Sequence, residues 1–389
     1  MREREKVVII GGAIVGSMVA YFLRELGFSG AITVVERDPS YQKCSTALSA
    51  AAIRTQFGTP VNIRMSLFGA EFFRTIKDRF GPDADIGFIE RGYLILGTPG
   101  SVAARLAGVD MQRREGADVA ALSPDEAQAR FPWLNIDDLG IATTARCNEG
   151  WFDAWSLMSV VRAAARAQGV SYVQGHVDGL GLAGDRVAGV RLSDGSVLPA
   201  DWVVNAAGTG SPAVVRDLGI DLPVSARKRT VFSIRAPLER ANFPMLCDTS
   251  GAWIRPEGEG FICGIPPSED NDPDAAGDFE PSHDLLESVL WPALAHRIPA
   301  LEQLRVERAW AGHYEVNTLD HNGIIGRHDE IPNLVFATGF SGHGVMHAPA
   351  TGRGVAELIT QGQFETIDLS PLAFDRIRAG IPLHETVVI

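Results

Sequence analysis

Cysteine is scarce in this 389-residue chain: Cys44, Cys147, Cys247 and Cys263 stand alone, with no C-x-x-C pair and no histidine at ligand spacing. That scarcity argues against zinc or iron–sulfur centres and against a disulfide framework, so no metal ligands are assigned. Long apolar runs are missing as well. None approaches the ~20 residues of a membrane span, and MREREK leads into the first strand without a signal-peptide core, so a cytoplasmic location is expected. Lysine is reduced to Lys6, Lys43, Lys77 and Lys228, a preference for arginine that reads as coding bias. The net charge of −13 disfavours nucleic acid or an anionic membrane as partner. No internal repeat or low-complexity linker interrupts the chain. What it has in quantity is 46% hydrophobic content and 41 glycines, enough to bury a large core in two or three domains.

The densest signal is residues 6–36, KVVIIGGAIVGSMVAYFLRELGFSGAITVVE. An apolar strand ends at Ile10, Gly11 opens a tight turn, and a helix starts near Ile14. Gly16 lets that helix pack closely on the sheet, and Glu36 closes a second strand 20 residues later. This is the order of a dinucleotide-binding unit, with a diphosphate on the N–H groups of the helix start and the acid accepting hydrogen bonds from ribose hydroxyls. Ala13 fills the middle glycine position of G-x-G-x-x-G and crowds the diphosphate slightly. The alternative is a plain buried βαβ unit.

Two later apolar strands also end in small-residue turns, Ala206 to Gly208 and Gly339 to Gly344. Strand ends of an open α/β sheet converge on the ligand crevice, so one large cofactor would use all three turns; ordinary helix-entry turns are the alternative. Between them the pattern predicts a small-residue helix at ALSAAAIR and an amphipathic helix over 61–80. Two strands about the Arg91-Gly92 turn follow, then two helices over 100–131, the second capped by Ser123 with Glu126. A helix from Asp153, a strand meander to Asn205 and a strand-rich stretch with one helix near 283–297 complete the reading.

In chain order, GGAIVGSMVAYFL, ERDPSY, STALSAAAIRTQF, VNAAGTGS, RPEGEGFICG, WAGHYEVNTLDHNGIIG and ATGFSGHGVMHAPATGRGVAELI resemble the FAD-dependent D-amino-acid oxidase superfamily across essentially the whole chain. The nearest branch is the sarcosine oxidase and sarcosine/dimethylglycine dehydrogenase group, including FAD-dependent oxidoreductases related to a mitochondrial complex I assembly factor. The resemblance implies an α/β fold. A Rossmann-like FAD-binding domain (1–84, 146–224 and 319–389) is interleaved with an α+β substrate domain (85–145 and 225–318) built on an antiparallel sheet.

It also implies positions for the cofactor. Gly11, Ala13, Ile14 and Val15 would meet the FAD diphosphate, and Glu36 and Arg37 the adenosine. Ser45, Thr46, Ser49, Ala50 and Ala51 would lie along the diphosphate and flavin, Val177 at the adenine, and Ala207 and Gly208 near the ribose and diphosphate. Phe340, Ser341, Gly342, His343, Gly344, Val345 and Met346 would line the pyrimidine side of the flavin, where helix-start N–H groups stabilise the negative charge left by an arriving hydride.

For the substrate, Arg54 matches the arginine that holds the carboxylate in monomeric sarcosine oxidases, with a structural salt bridge as its alternative, and Met346 replaces their second cation, a lysine. Arg255 is a candidate second guanidinium, or else a strand arginine beside Glu257 and Glu259. Ile262 stands where those oxidases carry the lysine that promotes oxygen reduction, which favours a dehydrogenase. Ser49 replaces the histidine that carries FAD in dimethylglycine dehydrogenases, and His313 falls close to the cysteine that carries it in monomeric sarcosine oxidases, so noncovalent FAD is expected. His313 over the flavin face, or bonded to the flavin as its alternative, His343 as a flavin contact or a satisfied polar turn residue, and Tyr314 closing the pocket or packed in the core complete the set.

The expected activity is FAD-dependent oxidation of the C–N bond of a small secondary, N-methylated or D-amino acid, by hydride transfer to flavin N5 and hydrolysis of the resulting imine. Its partners are that amino acid or amine and oxygen or another electron acceptor, with a homo- or hetero-oligomer left open. The rivals are a flavin-containing scaffold or assembly factor without turnover, and a 2-hydroxy-acid dehydrogenase that would need His313 or His343 as base.

Overall fold

The computed structural model describes residues 5–385. Lys6–Ile10 forms the centre of a six-stranded sheet, apolar along its length because both faces are covered. Parallel neighbours are Ala31–Glu36 and then Ser171–Gln174 on one side, Trp202–Asn205 and then Leu334–Thr338 on the other, and Ile324–Arg327 closes that edge antiparallel. One face carries the helices Ile14–Glu25, Pro60–Arg74, Ala154–Ala167 and Gly344–Thr360. The other is covered by a three-stranded meander, Val177–Ala183, Arg186–Leu192 and Val197–Pro199. The alternating apolar residues of that meander pack on Val8, Ile10 and Val35. This layering is the Rossmann-like half that the sequence predicts.

The second large sheet has eight strands in the order Arg305–Asn317, Val224–Arg235, Gly260–Gly264, Trp253–Glu257, Met245–Cys247, Tyr93–Gly97, Ile141–Ala145 and Val119–Leu122. Every pair is antiparallel except Met245–Cys247 with Tyr93–Gly97, which is parallel. The all-antiparallel expectation is therefore corrected at one seam, where chain from the 90s meets chain from the 240s. One sheet face packs on the helical segment around Trp291–Arg297 through Leu94, Leu96, Ile254 and Phe261. The opposite face carries Tyr93, Ile95, Met245 and Cys247 against Trp151.

Local signals behave as expected at Asp153, whose carboxylate caps Ala154–Ala167 through Ser156 N, and at Ser123, where a full capping box starts Pro124–Arg130. Three expectations are corrected. ALSAAAIR is no helix: it is a turn followed by the short strand Ala52–Ile53, paired with Gly150–Trp151. Ala51 has φ +49°, which breaks helical geometry, and just past the segment the N–H groups of Thr55 and Gln56 are taken by a buried carboxylate. The helix over 61–80 is divided at Thr75 into Pro60–Arg74 and Ile76–Phe80. Before the Arg91-Gly92 turn there is only an isolated bridge, Ile89 to Trp151, in place of the first of two strands. No helix among the described residues is long and apolar enough to cross a membrane.

Candidate active site

The strand order sets the three small-residue turns side by side. Gly11 follows the central strand, Ala206 follows its neighbour Trp202–Asn205, and Gly339 follows the next one, Leu334–Thr338. At Gly11, φ is +98° and any Cβ would run into the Ala206 carbonyl, so only glycine lets these two turns touch. Ala13 has φ −71°, an ordinary value for alanine, so its methyl brings no backbone strain. It is the N-cap of Ile14–Glu25 and offers no side-chain cap; Thr46 Oγ1 reaches Ile14 N only at 3.5 Å. The helix start thus presents N–H donors to an anion. Glu36 is pinned beside it, Oε2 accepting from Gly12 N and Oε1 from Asp38 N, both at 2.9 Å. Arg37 is exposed next to it. Gly175 N donates to Glu36 O at 2.9 Å, which brings the start of the meander at Val177 to the same end. An acid, an open helix start and a Cβ-free cradle are the donor and acceptor set of a dinucleotide.

The far end of the cleft is the turn Gly339 to Gly344. Ser341 has φ +51° and Gly342 φ +96°, and a Cβ on Gly342 would lie 2.5 Å from the Tyr314 ring. His343 is the N-cap of Gly344–Thr360, again without a side-chain cap, so a second open helix start faces the cleft. Gly208, next to Ala207, borders this turn, its carbonyl accepting from Thr338 Oγ1 at 3.3 Å. Glu315 Oε2 accepts from Thr338 Oγ1 at 2.9 Å and from Gly339 N at 3.2 Å, and burial raises its pKa to about 7. On the other flank, Ser49 Oγ accepts from Ala51 N at 2.9 Å, shaping the Ser49 to Ala51 turn.

Arg54 is 2% exposed and lies at this end. Nη1 donates to Gln56 O, Nη2 is 3.3 Å from His343 Nε2, and Cζ stacks 3.9 Å from the centre of the Phe57 ring. A guanidinium can only donate, so His343 accepts through Nε2 and is neutral, with its proton on Nδ1. Burial, with the Arg54 charge beside it, holds its pKa well below the usual histidine range. His347 lies 5.8 Å from His343 between ring centres, 3.0 Å from Ser66 Oγ through Nε2, and burial lowers its pKa to about 3. One permanent cation, two neutral imidazoles and a phenyl ring form a buried cluster whose net positive charge suits a carboxylate.

The residue that positions Arg54 was invisible in the sequence. Glu149, fully buried, accepts from Thr55 N, Thr55 Oγ1 and Gln56 N through Oε1 at 2.7, 2.8 and 3.2 Å. Through Oε2 it accepts from Gln56 Nε2 and Tyr93 N at 2.9 and 3.1 Å. Burial pushes its pKa up and these donors pull it back. Nothing in CNEGW marks an acid that gathers five donors, because the partners lie about 93 positions upstream and 56 positions upstream.

Other expected residues are placed differently. Arg255 is buried, but Nε and Nη2 donate to Ala50 O at 3.1 and 2.6 Å, and Nη1 to Pro256 O at 2.8 Å and to Glu257. It fastens the Ser49 to Ala51 turn, and the structure does not bring it to the Arg54 cluster. His313 donates through Nε2 to Asp278 O at 2.6 Å, packs on Phe279, and with Ser49, Ala50 and Tyr314 lines a cavity of about 40 Å³. It too stands apart from Arg54 and His343. Met346 is packed toward Pro60–Arg74, with Sδ 4.0 Å from Ser66 Oγ. Ile262 is buried opposite Arg255.

A family profile described as FAD dependent oxidoreductase matches residues 6–358. FAD-dependent oxidoreductase domain-containing protein 1 of Xenopus laevis is 39% identical over 426 aligned positions, covering 100% of this chain and 85% of that protein. Human mitochondrial sarcosine dehydrogenase is 26% identical over 92% of this chain and 40% of its own length. Among solved structures, L-proline dehydrogenase from P. horikoshii superposes with a TM-score of 0.86 at 27% identity, covering 98% of this chain and 100% of that one. The cradle, the open helix starts and the whole-length match agree: the chain belongs to the FAD-dependent oxidoreductase family of D-amino-acid oxidase type and is an enzyme that uses FAD.

Proposed function

We propose that the enzyme oxidises the C–N bond of a small amino acid, a secondary, N-methylated or D-amino acid, to an imine that water hydrolyses. The observation that carries this reading is the buried Arg54 guanidinium, set beside neutral His343 at the start of the last helix. Gly11, Ala13, Ile14 and Val15 would hold the FAD diphosphate, Glu36 the adenosine ribose, and the turn Phe340 to Met346 the pyrimidine end. Bound there, FAD supplies a two-electron acceptor that takes a hydride at N5. Arg54 would hold the substrate carboxylate through its guanidinium, fixed by Phe57 and Gln56 so that the neighbouring C–H bond points at the acceptor. His343, its Nε2 lone pair spent on Arg54, adds no competing charge. The uncapped N–H groups at Gly344 and Val345 would face the carbonyl edge where negative charge collects. Hydride loss from a neutral amine needs no base, which suits a pocket whose two histidines are held neutral; a hydroxy acid would need one. With Ile262 where a lysine promotes oxygen reduction in the resembling oxidases, an electron acceptor other than oxygen is favoured.

The test is an anaerobic titration of the FAD-loaded protein with sarcosine, dimethylglycine, proline and D-amino acids, followed by 2-hydroxy acids, and then admission of air. Bleaching of the flavin band by an amino acid and slow recolouring in air are expected. Bleaching by hydroxy acids alone, or by none of these compounds, overturns the proposal.

A further inference from the structure

A second chamber adjoins the Arg54 segment. Its floor is a row across three adjacent strands, Cys247, Ile95 and Thr143, which sit opposite one another in register and so share a face. Its roof is helix Val102–Arg114, which presents Arg105, Gly108, Val109 and Gln112 at i, i+3, i+4 and i+7. Its volume is about 360 Å³, within the range of small-molecule pockets.

The polar groups in this chamber are fixed and incomplete. Gln56 and Gln112 are 1% and 5% exposed, and each amide is locked by its NH₂ group, Gln56 Nε2 to Glu149 Oε2 at 2.9 Å and Gln112 Nε2 to Phe57 O at 3.0 Å. Both Oε1 atoms are left without a hydrogen-bond partner. Arg105 reaches across Gly97, whose missing side chain makes the room: a Cβ there would lie 2.5 Å from Nε. No carboxylate among the described residues pairs with Arg105. The acid in the chamber lining, Asp248, is committed to Arg297 and to Ser250 N and Oγ. The chamber touches the proposed active site through Gln56, whose carbonyl accepts from Arg54, and through Cys247, whose thiol is under the influence of both Arg54 and Arg105.

We infer that this chamber receives the distal end of the substrate, and that the substrate carries a second carboxylate, held by Arg105, while Arg54 holds the first. The substrate class is an amino dicarboxylic acid, N-substituted or of D configuration. This rests on the reading of Arg54 as the carboxylate site, and it adds the second charge that a monocarboxylate such as sarcosine lacks.

The test uses unreactive acids as probes. Glutarate and butyrate are titrated into the FAD-loaded protein and followed by the shift of the flavin band and by calorimetry. Glutarate is expected to bind roughly 10-fold or more tightly than butyrate, the scale of one charge-assisted contact. Arg105→Gln should abolish that preference and Arg105→Lys retain part of it. Equal binding of the two acids, or a preference that survives Arg105→Gln, overturns the inference. The two readings fail separately. If sarcosine or proline bleaches the flavin but glutarate has no advantage, only the second carboxylate is lost. An Arg105-dependent glutarate preference in a protein that no amino acid reduces keeps the subsite and removes the reaction.

Discussion

Replacing Glu149 tests whether one buried carboxylate holds the Arg54 segment. Glu149→Gln keeps the shape of the side chain. With its carbonyl in the Oε1 position, the bonds from Thr55 N, Thr55 Oγ1 and Gln56 N survive, and the new amide nitrogen meets two donors, Gln56 Nε2 and Tyr93 N. Gln56 can resolve one conflict by turning its amide over, because its Oε1 has no partner to lose. Tyr93 N is fixed by its strand and stays stranded, at a cost of about 1–3 kcal/mol. Glu149→Leu strands three backbone N–H groups, those of Thr55, Gln56 and Tyr93, for about 3–9 kcal/mol at the same cost each. Relief from burying a charge offsets part of that. In urea unfolding of the FAD-loaded protein, the midpoint should fall modestly for Glu149→Gln and much further for Glu149→Leu. Binding of butyrate should weaken in whichever variant stays folded, since Arg54 is anchored on Gln56. A Glu149→Leu midpoint equal to the parent's, or equal midpoints for the two variants, would refute the reasoning, because the number of stranded donors would then decide nothing.

Three further outcomes are expected. Arg255→Gln should release the Ala50 carbonyl and lower FAD content per purified chain, with KM for a reducing amino acid within about twofold of the parent; a roughly 10-fold rise in KM at full FAD content would return Arg255 to the substrate. His347, with a pKa lowered by burial from 6.5 to about 3, favours the folded state in its neutral form, so its contribution is complete above about pH 6.5 and is lost as pH falls toward 3. His347→Gln should make unfolding less sensitive to acid over that window, and an unchanged acid slope would count against the neutral assignment. Glu315 has the opposite sign: raised by burial from 4.5 to about 7, it favours the fold below about pH 4.5 and loses that contribution as pH rises through 7. Glu315→Gln should remove that part of the slope, and identical pH–stability curves for variant and parent would show that this carboxyl does not titrate there.

Much of the cofactor cleft was readable because its signals are local. The strand, Gly11, the helix start at Ile14 and Glu36 follow one another within 31 residues, and each is demanded by backbone geometry or by the open donors of a helix end. The turn at Gly339 to Gly344 announces itself the same way. Expectations failed where neighbours distant in sequence decide the outcome. ALSAAAIR has the composition of a helix, yet its end is a strand paired with Gly150–Trp151, and the N–H groups that follow it, those of Thr55 and Gln56, are claimed by Glu149. Of the two readings open for Arg255, the structure shows the strand arginine, paired with Glu257 and tied to the distant carbonyl of Ala50.

The sequence by itself therefore determined the layered α/β frame and the glycine turns that end its central strands, since these depend on apolar periodicity, glycine placement and residue type. Only the tertiary structure decided which charges meet. It made the seam in the eight-stranded sheet parallel, so that Cys247, Ile95 and Thr143 line one wall beneath Arg105. It also turned His343 into a neutral acceptor and Glu149 into the anchor of Arg54. Ionisation and hydrogen-bond partnership depend on burial and on groups dozens to hundreds of residues away, and a linear pattern carries neither.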